Sequence, residues 1–484
     1  MSTNYVRAYR DNPCIERLED IRSQSEWREC LNVLLPISEE EREAPPHYRI
    51  HSCAELTRVF IARPEVVELA MHLDLMLRQG YVERNPRTKQ RAELLNSLPA
   101  TDDEMEKALV VGESLRIISC TLIGYTGVGK SVSSGKILKK YKQKIDHKEL
   151  GITQIVWLKI EMPSDGGIKQ LVLSFCYALE KALGEELPFK VSDSTSTNTL
   201  LIIMAKLSAI YSIGLLVVDE VQNLTVRRGN NRENMLNVLQ TICNMVHVPL
   251  FMIGTMKAQT LFSQEARHAR RATAYGSFVW SRLDEGKEWD LMLDTLWQYQ
   301  WTKKDSALTV EMRQYLHDAT QGLMALLPVM LMLAQHRAIL TGKEEVSLEI
   351  LKWVYKQRFQ PVHAMLDALR TGNTLKLIQY EDLWLPDFLE TVKKEQAYAE
   401  NVAMTKIKPS NDLPPRRKAA LDLARVGYDL RSIEIAIDKA VAKGKTTAAQ
   451  IIKEARYILE NVKPETTSDP DDLRYSQRDT KAAR

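Results

Sequence analysis

The stretch GYTGVGKS, Gly124–Ser131, follows the apolar run LRIISCTLI, Leu115–Ile123. It spells G-x-x-x-x-G-K-S at the point where a strand is expected to turn into a helix. Each element has a mechanical reason. Gly124 and Gly129 permit a sharp turn and a close approach of backbone to a ligand, and Gly127 lies in the same loop. The loop amides converge at a helix N-terminus, where the dipole favours negative charge. Lys130 is placed to reach the β- and γ-phosphates of a nucleotide, and Ser131 to offer its hydroxyl to Mg²⁺. The pattern predicts a site for ATP and Mg²⁺. The plainer reading, a glycine-rich turn with a surface lysine, leaves the next motif unexplained.

That motif is LLVVDE, Leu215–Glu220, four apolar residues ending in two acids. It reads as a buried strand with Asp219 at its tip, able to hold the Mg²⁺ shell. Glu220 is then positioned to polarise a water for in-line attack on the γ-phosphate. Phosphoryl transfer needs positioning and charge neutralisation, which Lys130, Ser131, Asp219 and Glu220 supply. A further strand, VPLFMIGT (Val248–Thr255), ends in Thr255. Thr255 is a candidate sensor of the γ-phosphate; otherwise it merely terminates a strand. In EARHARRATAYG (Glu265–Gly276), Arg267, Arg270 and Arg271 cluster. One of them, with Arg270 and Arg271 preferred, is a candidate arginine finger acting on a neighbouring subunit. The alternative is a solvated basic helix end.

Between these motifs, TQIVWLKI (Thr153–Ile160) reads as another buried strand and Ser164–Glu186 as an amphipathic helix capped by Ser164 or Asp165. Continuous apolar runs alternating with helices indicate a parallel sheet covered on both faces. The fold class is therefore α/β. Upstream, a helix is expected from Pro64 to Gln79 with Gly80 as its cap, and another over about 101–112. LPISEEEREAPPHYRI (Leu35–Ile50) reads as an acidic, partly irregular arm. From Trp289 the pattern is helical only. Residues 401–416 resemble a linker, followed by a small helical unit with Ile433, Ile437, Ala440 and Val441 on one stripe. The last twenty or so residues are too polar to bury much and are expected to be disordered alone. The expected division is 1–100 as arm and helical extension, 101–288 as ATPase core, 289–400 as helical lid, and 401–484 as linker, helical unit and tail.

Composition narrows the class. The chain has 484 residues, 44% hydrophobic and 27% charged, enough for more than one domain. A net charge of only +3 means that any nucleic-acid contact comes from local patches. Six cysteines without a C-x-x-C pair fit reduced thiols in a cytoplasmic protein. The polar start MSTNYVRAYRDNP carries no signal-peptide pattern, and no apolar run is long enough to span a membrane. Two basic patches are candidates for double-stranded DNA. One is the helix after the glycine loop, with Lys136, Lys139, Lys140, Lys142 and Lys144; the other is the loop carrying Arg227, Arg228 and Arg232. A solvated helix face is the competing reading for the lysines.

A P-loop strand, an acidic-tip strand, a polar-tip strand, an arginine cluster and a trailing helical lid follow the sequence order of AAA+ ATPases. More specifically, RAYRDNP (Arg7–Pro13), QGYVERNP (Gln79–Pro86), GLLVVDEVQNL (Gly214–Leu224), MIGTMKA (Met252–Ala258), RHARRATAYGSFVW (Arg267–Trp280) and PVHAMLDALRTG (Pro361–Gly372) resemble the TnsC family. These are AAA+ regulators of Tn-seven-like transposons, including CRISPR-associated ones. The resemblance reaches about residue 385 and returns weakly at DLRYSQR, Asp472–Arg478. It implies an ATPase that assembles as a ring or filament on double-stranded DNA. Such a protein connects a target selector (TnsD, TnsE or a TniQ-type factor) to the transposase subunits TnsA and TnsB. It implies a bacterial, DNA-associated protein of the cytoplasm. The lid offers no arginine before Arg337, so nucleotide contact from that side is expected to be by packing alone. The tail segment DPDDLRYSQR, Asp469–Arg478, is a candidate partner peptide. The main alternative to this reading is a STAND-like or defence-associated signalling NTPase that does not bind DNA.

Overall fold

In a computed structural model, the described residues are 5–36, 38–111, 118–164, 167–188, 195–226, 231–259, 275–372, 415–416, 419, 422–423 and 430–461. The chain divides into two compact units, Met1–Glu395 and Gln396–Arg484.

The first unit is built on five parallel strands. They are β1 (Ser119–Gly124), β4 (Trp157–Glu161), β5 (Leu215–Asp219), β6 (Leu250–Gly254) and β7 (Ser277–Trp280), in the order β4-β5-β6-β1-β7. Every residue of β1, β5 and β6 is buried, as runs without polar alternation require in a sheet covered on both faces. This order sets β5, β6 and β1 side by side, so the acidic tip, the polar tip and the glycine loop share one edge of the sheet. Ligands of open parallel sheets bind at that edge. The expected α/β class, a parallel sheet with a P-loop and with helical extensions, is what the structure has.

Particular elements differ from the sequence reading. Thr153–Ile160 is not one strand. Ile152–Ile155 (β3) pairs antiparallel with Lys144–His147 (β2), and only Trp157–Glu161 enters the main sheet. The fifth strand, β7, was not expected. Gly80 does not cap the helix that starts at Pro64, which runs on to Val82. A Cβ on Gly80 would lie 2.3 Å from Pro249 Cγ, so this glycine admits a close packing neighbour. The helix Ile168–Leu183 begins after Gly167 with no side-chain cap, rather than on Ser164; Asp165 lies outside the described residues.

The N-terminal residues are core rather than arm. Tyr9, Cys14, Ile15, Leu18, Trp27 and Leu31 are buried in the cluster that also holds Leu122, Val217 and Phe251 of the sheet. The helix Gln24–Leu31 starts with a reciprocal cap between Ser23 and Glu26. Within Leu35–Ile50 the chain forms two helices, Glu39–Glu43 and Pro46–Cys53. The second is fastened to the lid, because His336 Nε2 donates to the Ile50 carbonyl at 2.8 Å. The region expected as a lid holds, among its described residues, five helices: Lys287–Trp297, Val310–Thr320, Leu327–Leu340, Leu348–Arg358 and His363–Thr371.

In the second unit, helices Leu430–Ala442 and Ala448–Asn461 pack through Ile433, Ala436, Ile437, Ala440, Ile451 and Ala455. Val441, expected on that stripe, is 38% exposed, and Ala436 takes the inward position instead. Among the described residues, no helix is long and apolar enough to cross a membrane.

Candidate nucleotide site

The glycine loop joins the end of β1 to the helix Lys130–Leu138. Gly127 and Gly129 have φ of +87° and +95°, the left-handed region that other residues rarely adopt. Gly124 is required for a different reason. A Cβ there would lie 2.4 Å from the Trp280 carbonyl oxygen, so its absence lets β1 and β7 pair. Lys130 is buried, and its ammonium donates to the carbonyls of Gly124 and Tyr125 at 2.7 and 2.8 Å. It therefore folds back across the concavity in which the loop amides converge. Ser131, on the first turn of the helix, is exposed.

Across the sheet edge, Asp219 is buried and Lys159 of β4 lies 2.7 Å from its Oδ2. Glu220 follows with φ +58°, and its N–H donates to Asp219 Oδ1 at 2.9 Å. Burial, then the neighbouring Asp219, pushes the Glu220 carboxyl above the usual range; a hydrogen bond from Gln222 and the Lys130 charge oppose this. A carboxyl tuned upward while facing the glycine loop suits a group that accepts a proton. Thr255 sits one residue beyond β6 and is buried. Among the described residues its hydroxyl has no hydrogen-bond partner, so a polar group at this edge would find a donor waiting. The structure thus brings Gly127, Gly129, Lys130, Ser131, Asp219, Glu220 and Thr255 to one edge.

Sequence reasoning missed an apolar cavity of about 180 Å³ beside the glycine loop. Its walls include Phe60 and Ile61 from the N-terminal segment, Val128 and Val132 around the loop, and Met324, Ala325 and Val329 from the lid. Arg63 is its one charged lining residue, and that guanidinium sits 5.5 Å from the Trp280 ring centroid. The lid touches the loop directly, since the Ala325 N–H donates to the Gly127 carbonyl at 3.0 Å. Arg337 lies further along the lid helix with its guanidinium carbon 4.0 Å from the Trp353 ring centroid. The only sequence signal for the cavity was the apolar run Val59–Ile61 just before Pro64.

The basic candidates divide. Lys139 and Lys142 are exposed just past the C-terminal end of the nine-residue P-loop helix, Lys139 as its cap and Lys142 in the segment beyond. That end lies about 13 Å from the loop at helical rise. Lys136 covers the Phe60 ring at 4.7 Å, and Lys144 donates to the Leu183 carbonyl. Arg227, Arg228, Arg267, Arg270 and Arg271 lie outside the described residues; Arg232 falls in the helix Asn231–Met245, where only the backbone is described.

Residues 95–282 match the model of the bacterial TniB protein. Over that segment the chain is similar to the TniB family. The matched segment runs from before β1 to just after β7, so it holds the whole main sheet and the residues gathered at its edge. No curated protein matches the chain. Solved structures similar to it include the Walker-type ATPase of Pyrococcus abyssi, with 12% identity over 76% of this chain and 85% of that one, TM-score 0.32. Cdc6p from Pyrobaculum aerophilum has 13% identity over 79% and 89%, TM-score 0.31. AMPPCP-bound DnaA from Aquifex aeolicus has 14% identity over 75% and 93%, TM-score 0.29.

Proposed function

We propose that this ATPase is a DNA-bound, oligomeric switch in transposition, joining a target selector to the transposase subunits TnsA and TnsB. The observation that carries the reading is the meeting of the glycine loop, the Asp219–Glu220 tip and the unspent Thr255 hydroxyl inside a TniB-type core.

The residues present fit Mg·ATP. Left-handed Gly127 and Gly129 shape an amide cradle, and the apolar cavity next to it suits a base and ribose. Gly124, Lys130 and Ser131 complete the phosphate side, with Ser131 and Asp219 holding the ion. Mg²⁺, when bound, neutralises charge on the β- and γ-oxygens. Lys130 exchanges its carbonyl partners for phosphate oxygens. Glu220 takes the proton from the attacking water, and Thr255 orients the γ-phosphate. A finger from Arg270 or Arg271 of a neighbouring subunit would make hydrolysis depend on assembly. Duplex DNA is held through phosphate contacts by Arg227, Arg228 and Arg232, with Lys139 and Lys142 as a second set. In this scheme 101–288 is the engine, 289–400 the lid, and the flanking segments 1–100 and 401–484 carry partner contacts. The protein works in the bacterial cytoplasm on DNA.

Electron microscopy of the protein with duplex DNA and a slowly hydrolysed ATP analogue tests the reading. Rings or filaments around the duplex are expected. Lone particles in the presence of both ligands would overturn it.

A further inference from the structure

The turn after β5 is held from both sides by consecutive amide side chains. Gln222 is buried, and its carboxamide is used in two directions. Its Nε2 donates to Glu220 Oε2, and its Oε1 accepts from the Thr255 backbone N–H at 3.0 Å. Asn223 ties the same turn to the strand on the other side, its Nδ2 donating to the Met162 carbonyl at 2.7 Å. Gly254 leaves the space in which the Gln222 carboxamide lies. A Cβ there would come within 3.2 Å of Gln222 Oε1 and 2.8 Å of Ala258 Cβ.

A carboxamide that spans a carboxylate and a backbone N–H has one workable orientation, since rotating it by half a turn sets oxygen against oxygen. The positions of Glu220 and of the β6 tip are therefore coupled through one rigid planar group. We infer that Gln222 is a positioning residue for ATP hydrolysis: it sets the Glu220 carboxylate according to where Thr255 stands. One Glu220 oxygen is held by Gln222 and the other is left to address water. A displacement of Thr255 on meeting a γ-phosphate is carried to the carboxylate through the carboxamide. The inference rests on the proposed role of Glu220 as the base.

Two near-isosteric variants separate the arms. Gln222→Met removes both hydrogen bonds; Gln222→Glu keeps an acceptor for the Thr255 N–H and loses the donor to Glu220. Full-length protein with duplex DNA is assayed for steady-state ATP hydrolysis, for binding of a fluorescent ATP analogue and for its melting temperature. Both variants are expected to lose roughly 10- to 100-fold in kcat, as misplaced catalytic groups do. Analogue affinity should stay within about twofold, because neither arm holds ATP in the ground state, and melting should fall by only a few degrees, the cost of leaving the buried Thr255 N–H unpaired. Adding either substitution to Glu220→Gln should cost nothing further. Unchanged kcat in Gln222→Met overturns the inference, as does a fall of kcat matched by a fall of affinity and a larger loss of melting temperature. If Glu220→Gln itself still turns over, the assignment of the base is what fails, and the two failures are told apart.

Discussion

The Lys159 ammonium lies 2.7 Å from Oδ2 of Asp219, on the adjacent strand of the sheet. Asp219 is almost fully enclosed and Lys159 only partly so, which makes the pair a local neutralisation of the carboxylate proposed to hold Mg²⁺. A divalent ion arriving beside Asp219 meets that ammonium at close range. A divalent ion and an ammonium a few ångströms apart at a partly buried site repel by roughly 8 kcal/mol before relaxation and screening, twice the figure for two unit charges. Lys159→Met should therefore lower the Mg²⁺ concentration needed for half-maximal hydrolysis, roughly tenfold once relaxation and screening have removed most of that repulsion. A Mg²⁺ titration at saturating ATP measures it. An unchanged midpoint would mean that Lys159 leaves Asp219 without cost.

The cavity beside the glycine loop makes a separate expectation. Ala325 faces it from the lid while its backbone N–H is committed to Gly127. Ala325→Phe keeps that hydrogen bond and fills space that a base would use. ATP affinity should fall by roughly one to two orders of magnitude through lost apolar contact. Inorganic tripolyphosphate, which lacks a base, should compete for the phosphate cradle as well as before. Competition against a fluorescent ATP analogue distinguishes the two, and equal weakening of both ligands would place the base elsewhere.

The parts of this site that sequence made legible are those in which backbone geometry restricts residue choice. A left-handed loop demands Gly127 and Gly129, and a doubly covered strand demands the run Leu215–Val218 before Asp219. Those constraints are local, so they survive in one dimension. The cavity was not legible because its walls come from Phe60, Val132 and Val329, far apart in the chain. Strand β7 escaped because Phe278–Trp280 is only three apolar residues, too short to show a period, on an edge strand that is mostly not buried. The N-terminal segment looked like an arm because its buried residues sit on very short helices, where no period can establish itself. Gly80 reads as a helix cap and Gly124 as a turn residue, yet their neighbours Pro249 and Trp280 are visible only after folding.

That N-terminal segment is joined to the lid by charge as well as packing. Arg49 is fully buried and meets both oxygens of Glu344 at 2.6 and 2.7 Å, while also donating to the Trp301 carbonyl. Removing Arg49 leaves the part-buried Glu344 carboxylate without its bidentate partner, though still bonded to the Lys303 N–H, at a cost of about 3 kcal/mol, the low end for a buried pair. Arg49→Met should destabilise by that order in urea unfolding followed by tryptophan fluorescence. Replacing Glu344 by Leu in the same chain should recover much of the loss, since the uncompensated carboxylate is then gone. A loss no larger for Arg49→Met than for an exposed arginine would show that the pair holds nothing.

His336 gives the same joint a pH dependence. Its ring is buried under the N-terminal helix, with Nε2 donating to the Ile50 carbonyl. Burial holds its pKa down to about 4, with the Ile50 hydrogen bond opposing. The unfolded chain takes up that proton near pH 6.5. Above pH 6.5 both states are neutral and the group is silent. As pH falls the unfolded state binds the proton first, so stability is lost from about 6.5 down to about 4 and the loss then levels off. At pH 5 the share of this one residue is about 2 kcal/mol. Urea unfolding at pH 7 and pH 5 should therefore give a smaller pH difference in His336→Gln, an uncharged residue with a donor, than in the unsubstituted chain. Equal pH differences in the two proteins would mean that His336 is as easily protonated folded as unfolded.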